Sequence, residues 1–291
     1  MLLLVDGPDG AGKSTLIRQL EELYPGLSTS HHGPYKGASG RELASAVMSS
    51  MRPAFAGNPT AIDRCWISEP IYANIFRKQE SRLTGPLVRM LERAALSCSG
   101  IIILCLPPFW KCQEAFLSGR EEMMSSVEDL RRVYDSYAVG FKTNLKVVKY
   151  DYTTDSLAHL VSQLVPNYKP KITLIGDRPN TKTHAQQQYH VPFITFSGRG
   201  CSEWLAEQLE LSGVPEGALS WLNAYDDAGL PTSPDKLLPG TRVVALGRNA
   251  QQWCADHGIM HVHCPHPQVH KRFHHEKPYP LVNILKELYH G

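Results

Sequence analysis

The chain is predicted to be an α/β protein made of two successive units, each a parallel sheet covered by helices. Three observations predict it. Short apolar runs of strand length alternate with amphipathic stretches from the first residues to about residue 165. A glycine-rich loop joins the first run to the first amphipathic stretch. The pattern then breaks at Val165-Pro166-Asn167-Tyr168-Lys169-Pro170 and starts again. Such alternation requires crossover helices on both faces of parallel strands. At 291 residues there is room for two cores, and the predicted units are residues 1–165 and 171–291.

In the first unit the strand-like runs are Leu2–Val5, Ile101–Leu106 and Lys146–Tyr150. Leu16, Ile17, Leu20 and Leu23 recur at helical spacing, so Lys13 to Tyr24 reads as a helix stopped by Pro25-Gly26. The second unit reads as strand Lys171–Ile175, helix Cys201–Leu211, a strand near Leu219–Asn223 and strand Arg242–Leu246. Helix Asn249–His257 and strand Ile259–His263 follow. The Asp-, Pro-, Gly- and Ser-rich stretch Asp226 to Gly240 reads as a surface loop.

Composition narrows the class. With 42% hydrophobic and 20% charged residues the chain resembles ordinary soluble domains. No apolar run reaches the ~18 residues a membrane span needs, so no membrane partner is expected. Met1–Val5 lacks a basic flank and runs straight into the glycine loop, so it reads as a buried strand and not a secretory signal. Seven scattered cysteines, an odd number, suit a reducing cytoplasm better than a disulfide framework. A net charge of +2 announces no nucleic-acid partner by itself. Eight of the thirteen histidines fall between His257 and His290, so that end gains positive charge in mild acid.

The chemistry begins at Gly7-Pro8-Asp9-Gly10-Ala11-Gly12-Lys13-Ser14, followed by Thr15. This fits the phosphate-binding loop pattern, in the strand-to-helix setting that the pattern needs. Glycines let backbone N–H groups wrap phosphates without Cβ clashes, and the helix N-terminus adds its positive dipole end. Lys13 is placed to reach the β/γ oxygens and Ser14 to coordinate Mg²⁺. The expected cofactors are therefore ATP and Mg²⁺, and the expected chemistry is phosphoryl transfer.

Val5 to Thr15 and Asp63-Arg64-Cys65-Trp66-Ile67-Ser68-Glu69-Pro70-Ile71-Tyr72 resemble the thymidylate kinase family, the second segment matching its Asp-Arg-x-x-x-Ser motif. The resemblance implies a nucleoside-monophosphate-kinase-like parallel sheet. It also implies that Asp63 orients the acceptor or holds Mg²⁺ and that Arg64 neutralises transferring charge. Ser118-Gly119-Arg120-Glu121-Glu122 resembles the family's lid, which implies that Arg120 closes over the phosphates; Arg131 and Arg132 follow it. Where thymidylate kinases carry an Arg-Glu-Pro segment, this chain reads His31-His32-Gly33-Pro34-Tyr35, so the acceptor side differs. Members of that family are often dimers, which leaves an oligomer open here.

Residues 171 to about 275 resemble the uracil-DNA glycosylase superfamily, which implies a glycosylase-like α/β fold for the second unit. The resemblance is carried in order by Gly176-Asp177-Arg178-Pro179-Asn180, Pro192-Phe193, Gly198 to Leu211, Leu222-Asn223, Val243 to Ala250 and His266-Pro267. It implies that Phe193 stacks on an extruded base, that Asn223 reads a pyrimidine edge and that His266 approaches the glycosidic bond. Arg178 stands where the main branch has a water-activating Asp, and the iron–sulfur cysteine pattern is missing. This half therefore reads as a binder of pyrimidine DNA that need not cut it. His261-x-His263-Cys264-x-His266 matches no common closed zinc spacing. Arg178, Lys182, Arg199, Lys271 and Arg272 are candidates for a basic groove.

A kinase unit followed by a base-extruding unit resembles the 5-hydroxymethyluracil DNA kinases of bacterial viruses. The resemblance implies ATP-dependent phosphorylation of the 5-hydroxymethyl group in DNA containing the modified pyrimidine, within a host cytoplasm. Two alternatives stay open: a thymidylate or related deoxynucleoside-monophosphate kinase, and a DNA glycosylase or repair-type DNA-binding protein.

Overall fold

The computed structural model describes residues 1–33, 37–78, 80–118, 124, 126–164, 169–178, 192–194, 201–226, 228–274 and 276–291. The first part of the chain runs β1 (Leu2–Asp6), α1 (Lys13–Leu23), β2 (Ser28–His31), α2 (Gly40–Ser50), α3 (Arg52–Phe55), β3 (Thr60–Asp63) and α4 (Ser68–Tyr72). A π-helical segment, Ala73–Arg77, continues α4 directly. Then come α5 (Gly85–Ser97), β4 (Gly100–Cys105), α6 (Phe109–Leu117), α7 (Val127–Val139), β5 (Lys146–Tyr150) and α8 (Leu157–Gln163). The remainder is β6 (Ile172–Gly176), α9 (Ser202–Ser212), β7 (Leu219–Asn223), β8 (Arg242–Leu246), α10 (Arg248–Asp256), β9 (Val262–Cys264), α11 (Pro267–Phe273) and α12 (Leu281–His290).

The protein is α/β, and its strands lie in two parallel sheets, ordered β2-β3-β1-β4-β5 and β7-β6-β8-β9. Compact packing divides the chain into Met1–Thr84 with Cys98–Asn167, and Gly85–Ser97 with Tyr168–Gly291. The division is therefore not a single cut in the sequence, because α5 groups with the second unit. Its Arg93 lies over the Trp221 ring at 3.7 Å, and both Arg89 and Arg93 pair with buried Glu216.

Both sheets owe their form to side-chain burial. Every residue of β1, β3 and β4 is buried, which is the pattern of strands covered on both faces. Strand β2 was not visible as an apolar run, because Ser28–His31 is a polar edge strand with alternating exposure. Helix α2 starts with a capping box, Ser39 and Glu42 each bonding the other's backbone N–H. In the second unit, the strand expected at Ile259–His263 forms later, at Val262–Cys264. Gly258, at φ 65°, and the Ile259 N–H bond to Cys254 O are still closing α10 there. All seven cysteines are free thiols. Among the described residues no helix is long and apolar enough to cross a membrane.

Candidate active site

Sheet register explains why two distant motifs meet. Strand β1 is central in the first sheet, with β3 on one side and β4 on the other, so the chain direction across the sheet reverses there. Crevices at such switch points, beyond the C-terminal strand ends, are where α/β sheets bind ligands. Val5 stands opposite Asp63 in the β1–β3 ladder. The glycine loop after β1 and the Asp63-Arg64 turn after β3 therefore emerge side by side.

The loop is shaped as a cradle. Gly10, at φ 73°, passes so close to α6 that a Cβ would sit 2.7 Å from the Cys112 carbonyl oxygen. Gly12, at φ 81°, is the N-cap of α1 and makes no side-chain cap, so no cap competes with an anion for the first-turn N–H groups. Lys13 is buried and its Nζ donates to the carbonyls of Gly7 (3.0 Å) and Pro8 (2.7 Å). Burial, reinforced by the Arg64 charge, lowers the Lys13 pKa; Asp9, Asp63 and Asp6 oppose the shift. Ser14 Oγ donates to Asp63 Oδ2 at 3.3 Å, and His31 Nδ1 lies 3.0 Å from the same oxygen. The other Asp63 oxygen, Oδ1, is buried without a hydrogen-bond partner among the described residues. A hydroxyl beside an unpartnered carboxylate oxygen is a donor set that suits Mg²⁺, which takes few protein ligands and shares the rest with phosphates.

Arg64 adopts φ 66°, a left-handed backbone that non-glycine residues hold only when their surroundings fix it. Its N–H bonds to Val5 O at 2.8 Å, and its guanidinium is tied to Asp9 and to Tyr72 Oη (2.9 Å). Tyr72 in turn donates to Asp9 at 2.8 Å. Burial works against the Arg64 charge, but Tyr72 and Asp9 outweigh it and hold the guanidinium protonated.

Loop residues Asp9 to Thr15, Asp63 and Arg64 all line one cleft of about 620 Å³, together with His31, His32, Leu43, Val47, Trp66, Glu69, Tyr72, Phe76, Arg77 and Arg82. Gly7 and Pro8 serve it from behind, as the carbonyls that hold Lys13. Arg120 lies outside the described residues. Arg131 and Arg132 pair with Asp135 and Asp129 on the exposed face of α7. Burial, helped by His31, lowers the His32 pKa to about 4.

Sequence reasoning missed Asp6. This buried carboxylate accepts from Gly7 N–H (2.8 Å), Cys65 N–H (3.1 Å), Ser68 Oγ (2.8 Å) and Tyr137 Oη (2.7 Å). It pins the loop entrance, the turn after Arg64 and α7 to one point. Its position directly before Gly7 was the available signal. Tyr72 was inside the quoted Asp63–Tyr72 segment, but nothing in the sequence pointed its hydroxyl at Asp9.

In the second unit, Phe193, Asn223 and His266 gather at the C-terminal edge of the sheet. Gly176 and Asn223 are register partners at the ends of β6 and β7. A Cβ on Gly176 would lie 2.6 Å from the Phe193 ring and 3.0 Å from Asn223 Oδ1. The Phe193 ring is 6.0 Å from that of His266 and 5.7 Å from that of Trp221. Asp177 accepts from Asn249 Nδ2 at 2.8 Å. Burial lowers the His266 pKa against the pull of Asp177. Arg178 and Arg272 are exposed and Lys271 is half-buried, while Lys182 and Arg199 lie outside the described residues.

No family model and no curated protein matches the chain. Solved structures do. The YorR protein of Bacillus subtilis, in complex with phosphorylated GDP, is 18% identical with a TM-score of 0.42, over 56% of this chain and 93% of that one. Deoxyadenosine kinase from M. mycoides with bound dATP is 15% identical with a TM-score of 0.40, over 56% of this chain and 96% of that one. The same enzyme with bound dCTP is 18% identical with a TM-score of 0.37, over 56% and 96%.

Proposed function

We propose that the chain is an ATP-dependent kinase that phosphorylates the 5-hydroxymethyl group of 5-hydroxymethyluracil in DNA. One observation carries the kinase reading: a glycine cradle with Lys13 and Ser14 faces Asp63, with its unpartnered Oδ1, across one cleft. The DNA acceptor rests on the resemblance of both units; Phe193, Asn223 and His266 converge in the second unit and suit contacts to a pyrimidine of the strand, while the base to be phosphorylated enters the cleft.

The chemistry needs positioning more than covalent help. The acceptor alcohol oxygen forms a bond to the γ-phosphorus while the bond to the β–γ bridging oxygen breaks, and ADP leaves with that electron pair. Asp63 accepts the alcohol proton. Lys13 exchanges its two carbonyl partners for β/γ oxygens, and the first-turn N–H groups of α1 hold the remaining charge. Ser14 and Asp63 would hold a Mg²⁺ ion, which neutralises phosphate charge when bound. Arg64 and Arg120 complete the proposed catalytic set.

The test is transfer of label from γ-labelled ATP in three parallel reactions, with hydroxymethyluracil duplex, free dTMP or uracil duplex. Label in the polymer is expected, and Lys13→Ala abolishes it. Label in dTDP alone assigns a mononucleotide kinase instead, and an abasic site without transfer assigns a glycosylase.

A further inference from the structure

The cleft that the glycine loop lines also holds a charged cluster that the reaction above leaves unused. Glu69 is buried, and it accepts from two arginines. Arg82 reaches it with Nε (2.8 Å), a terminal nitrogen (2.8 Å) and its backbone N–H (3.2 Å). Arg77 reaches it with one terminal nitrogen at 2.5 Å. Burial alone would raise the Glu69 pKa, but the Arg82 hydrogen bonds and the two positive charges bring it below the usual carboxylate range.

Among the described residues, the cluster sets two guanidiniums against one carboxylate. The two arginines are not equivalent. Arg82 is 23% exposed and also donates to the Ala38 carbonyl, so it is largely consumed in holding the wall together. Arg77 gives one nitrogen to Glu69 and keeps 35% of its side chain exposed, on the cleft lining. It lies at the end of the π-helical segment, which Lys78 terminates at φ 51°. Such π insertions re-aim side chains and are frequent at functional sites. The same segment brings Phe76 beside Tyr72, ring centroids 5.6 Å apart, with Trp66 also on the lining. An aromatic wall next to a fixed guanidinium fork fits a nucleobase joined to a phosphate.

We propose that Arg77, positioned by Glu69 against Arg82, binds a phosphate of the acceptor nucleotide. The anion is the monoester of a free nucleotide or the diester of a DNA strand. The proposal rests on reading the cleft as a kinase site. It adds the acceptor's anion subsite and makes Glu69 a positioning residue.

Calorimetry without ATP tests it. The ligands are 5-hydroxymethyl-2′-deoxyuridine, its 5′-monophosphate and a short single-stranded oligonucleotide containing it; the proteins are the wild type, Arg77→Gln and Arg77→Lys. The wild type should bind one or both phosphate-bearing ligands at least about tenfold more tightly than the nucleoside. Arg77→Gln should erase that preference while leaving nucleoside binding unchanged, and Arg77→Lys should restore part of it. Preference for the monophosphate assigns a free nucleotide, and preference for the oligonucleotide a strand. The proposal is overturned if the wild type shows no phosphate preference, or if Arg77→Gln keeps it or weakens nucleoside binding equally. Phosphate-dependent binding with no transfer to any acceptor would instead sink the kinase reading and leave the subsite standing.

Discussion

Replacing Asp6 by Asn tests whether one buried carboxylate organises the candidate active site. Its Oδ1 accepts from Gly7 N–H, Ser68 Oγ and Tyr137 Oη, and its Oδ2 from Cys65 N–H and Ser68 Oγ. An asparagine keeps one accepting oxygen and turns an NH₂ donor toward the other group of donors. The Ser68 hydroxyl can rotate to accept from that NH₂, but a backbone N–H cannot turn away. At best the amide keeps Gly7 and Tyr137 and leaves the Cys65 N–H facing another donor. An unsatisfied buried N–H costs about 1–3 kcal/mol, and the bonds that remain lose their charge assistance, so the total is about 2–4 kcal/mol. Tyr137→Phe removes only one donor and should cost about 1–2 kcal/mol. Urea denaturation followed by circular dichroism gives both numbers, and ATP titration should show weaker binding by Asp6→Asn, since the loop entrance loses its anchor. The reasoning fails if Asp6→Asn stays within about 0.5 kcal/mol of wild type, or if Tyr137→Phe costs more than Asp6→Asn.

Two further outcomes are expected from the same structure. Glu216→Gln keeps shape but removes the carboxylate shared by Arg89 and Arg93 and bonded by Trp221 Nε1 at 2.8 Å; the second unit should lose about 3 kcal/mol or more, read as a lower denaturation midpoint. A loss under about 1 kcal/mol would show that this network does not hold α5 in that unit. His32, with its pKa lowered from 6.5 to about 4, binds fewer protons folded than unfolded, so it leaves stability untouched above pH 6.5 and lowers it as pH falls toward 4. The difference at pH 5 is about 2 kcal/mol, so the wild-type penalty between pH 7 and pH 5 should shrink by that amount in His32→Gln.

How much of this was legible in the sequence differs between the units. The glycine loop could be read because each of its residues answers a local demand: backbone freedom at Gly10 and Gly12, a cation at Lys13 and a hydroxyl at Ser14. Asp63-Arg64 could be read as a motif, but its nearness to the loop follows from the Val5–Asp63 register, which is a property of the sheet. In the second unit, Gly176 and Asn223 are likewise joined only by strand pairing.

The sequence by itself determined the buried apolar strands, the first helix and the glycine-rich loop between strand and helix, since each depends on neighbours a few residues apart. Only the tertiary structure decided that α5 groups with the second unit, because that depends on Glu216, which lies far along the chain yet sits 2.6 Å from Arg93. It also decided that Asp6 is the common acceptor of the site and that Glu69 fixes Arg77 and Arg82 on the cleft wall. Hydrogen bonds between residues distant in sequence leave no periodic trace in it, and these are the contacts that shape the chemistry here.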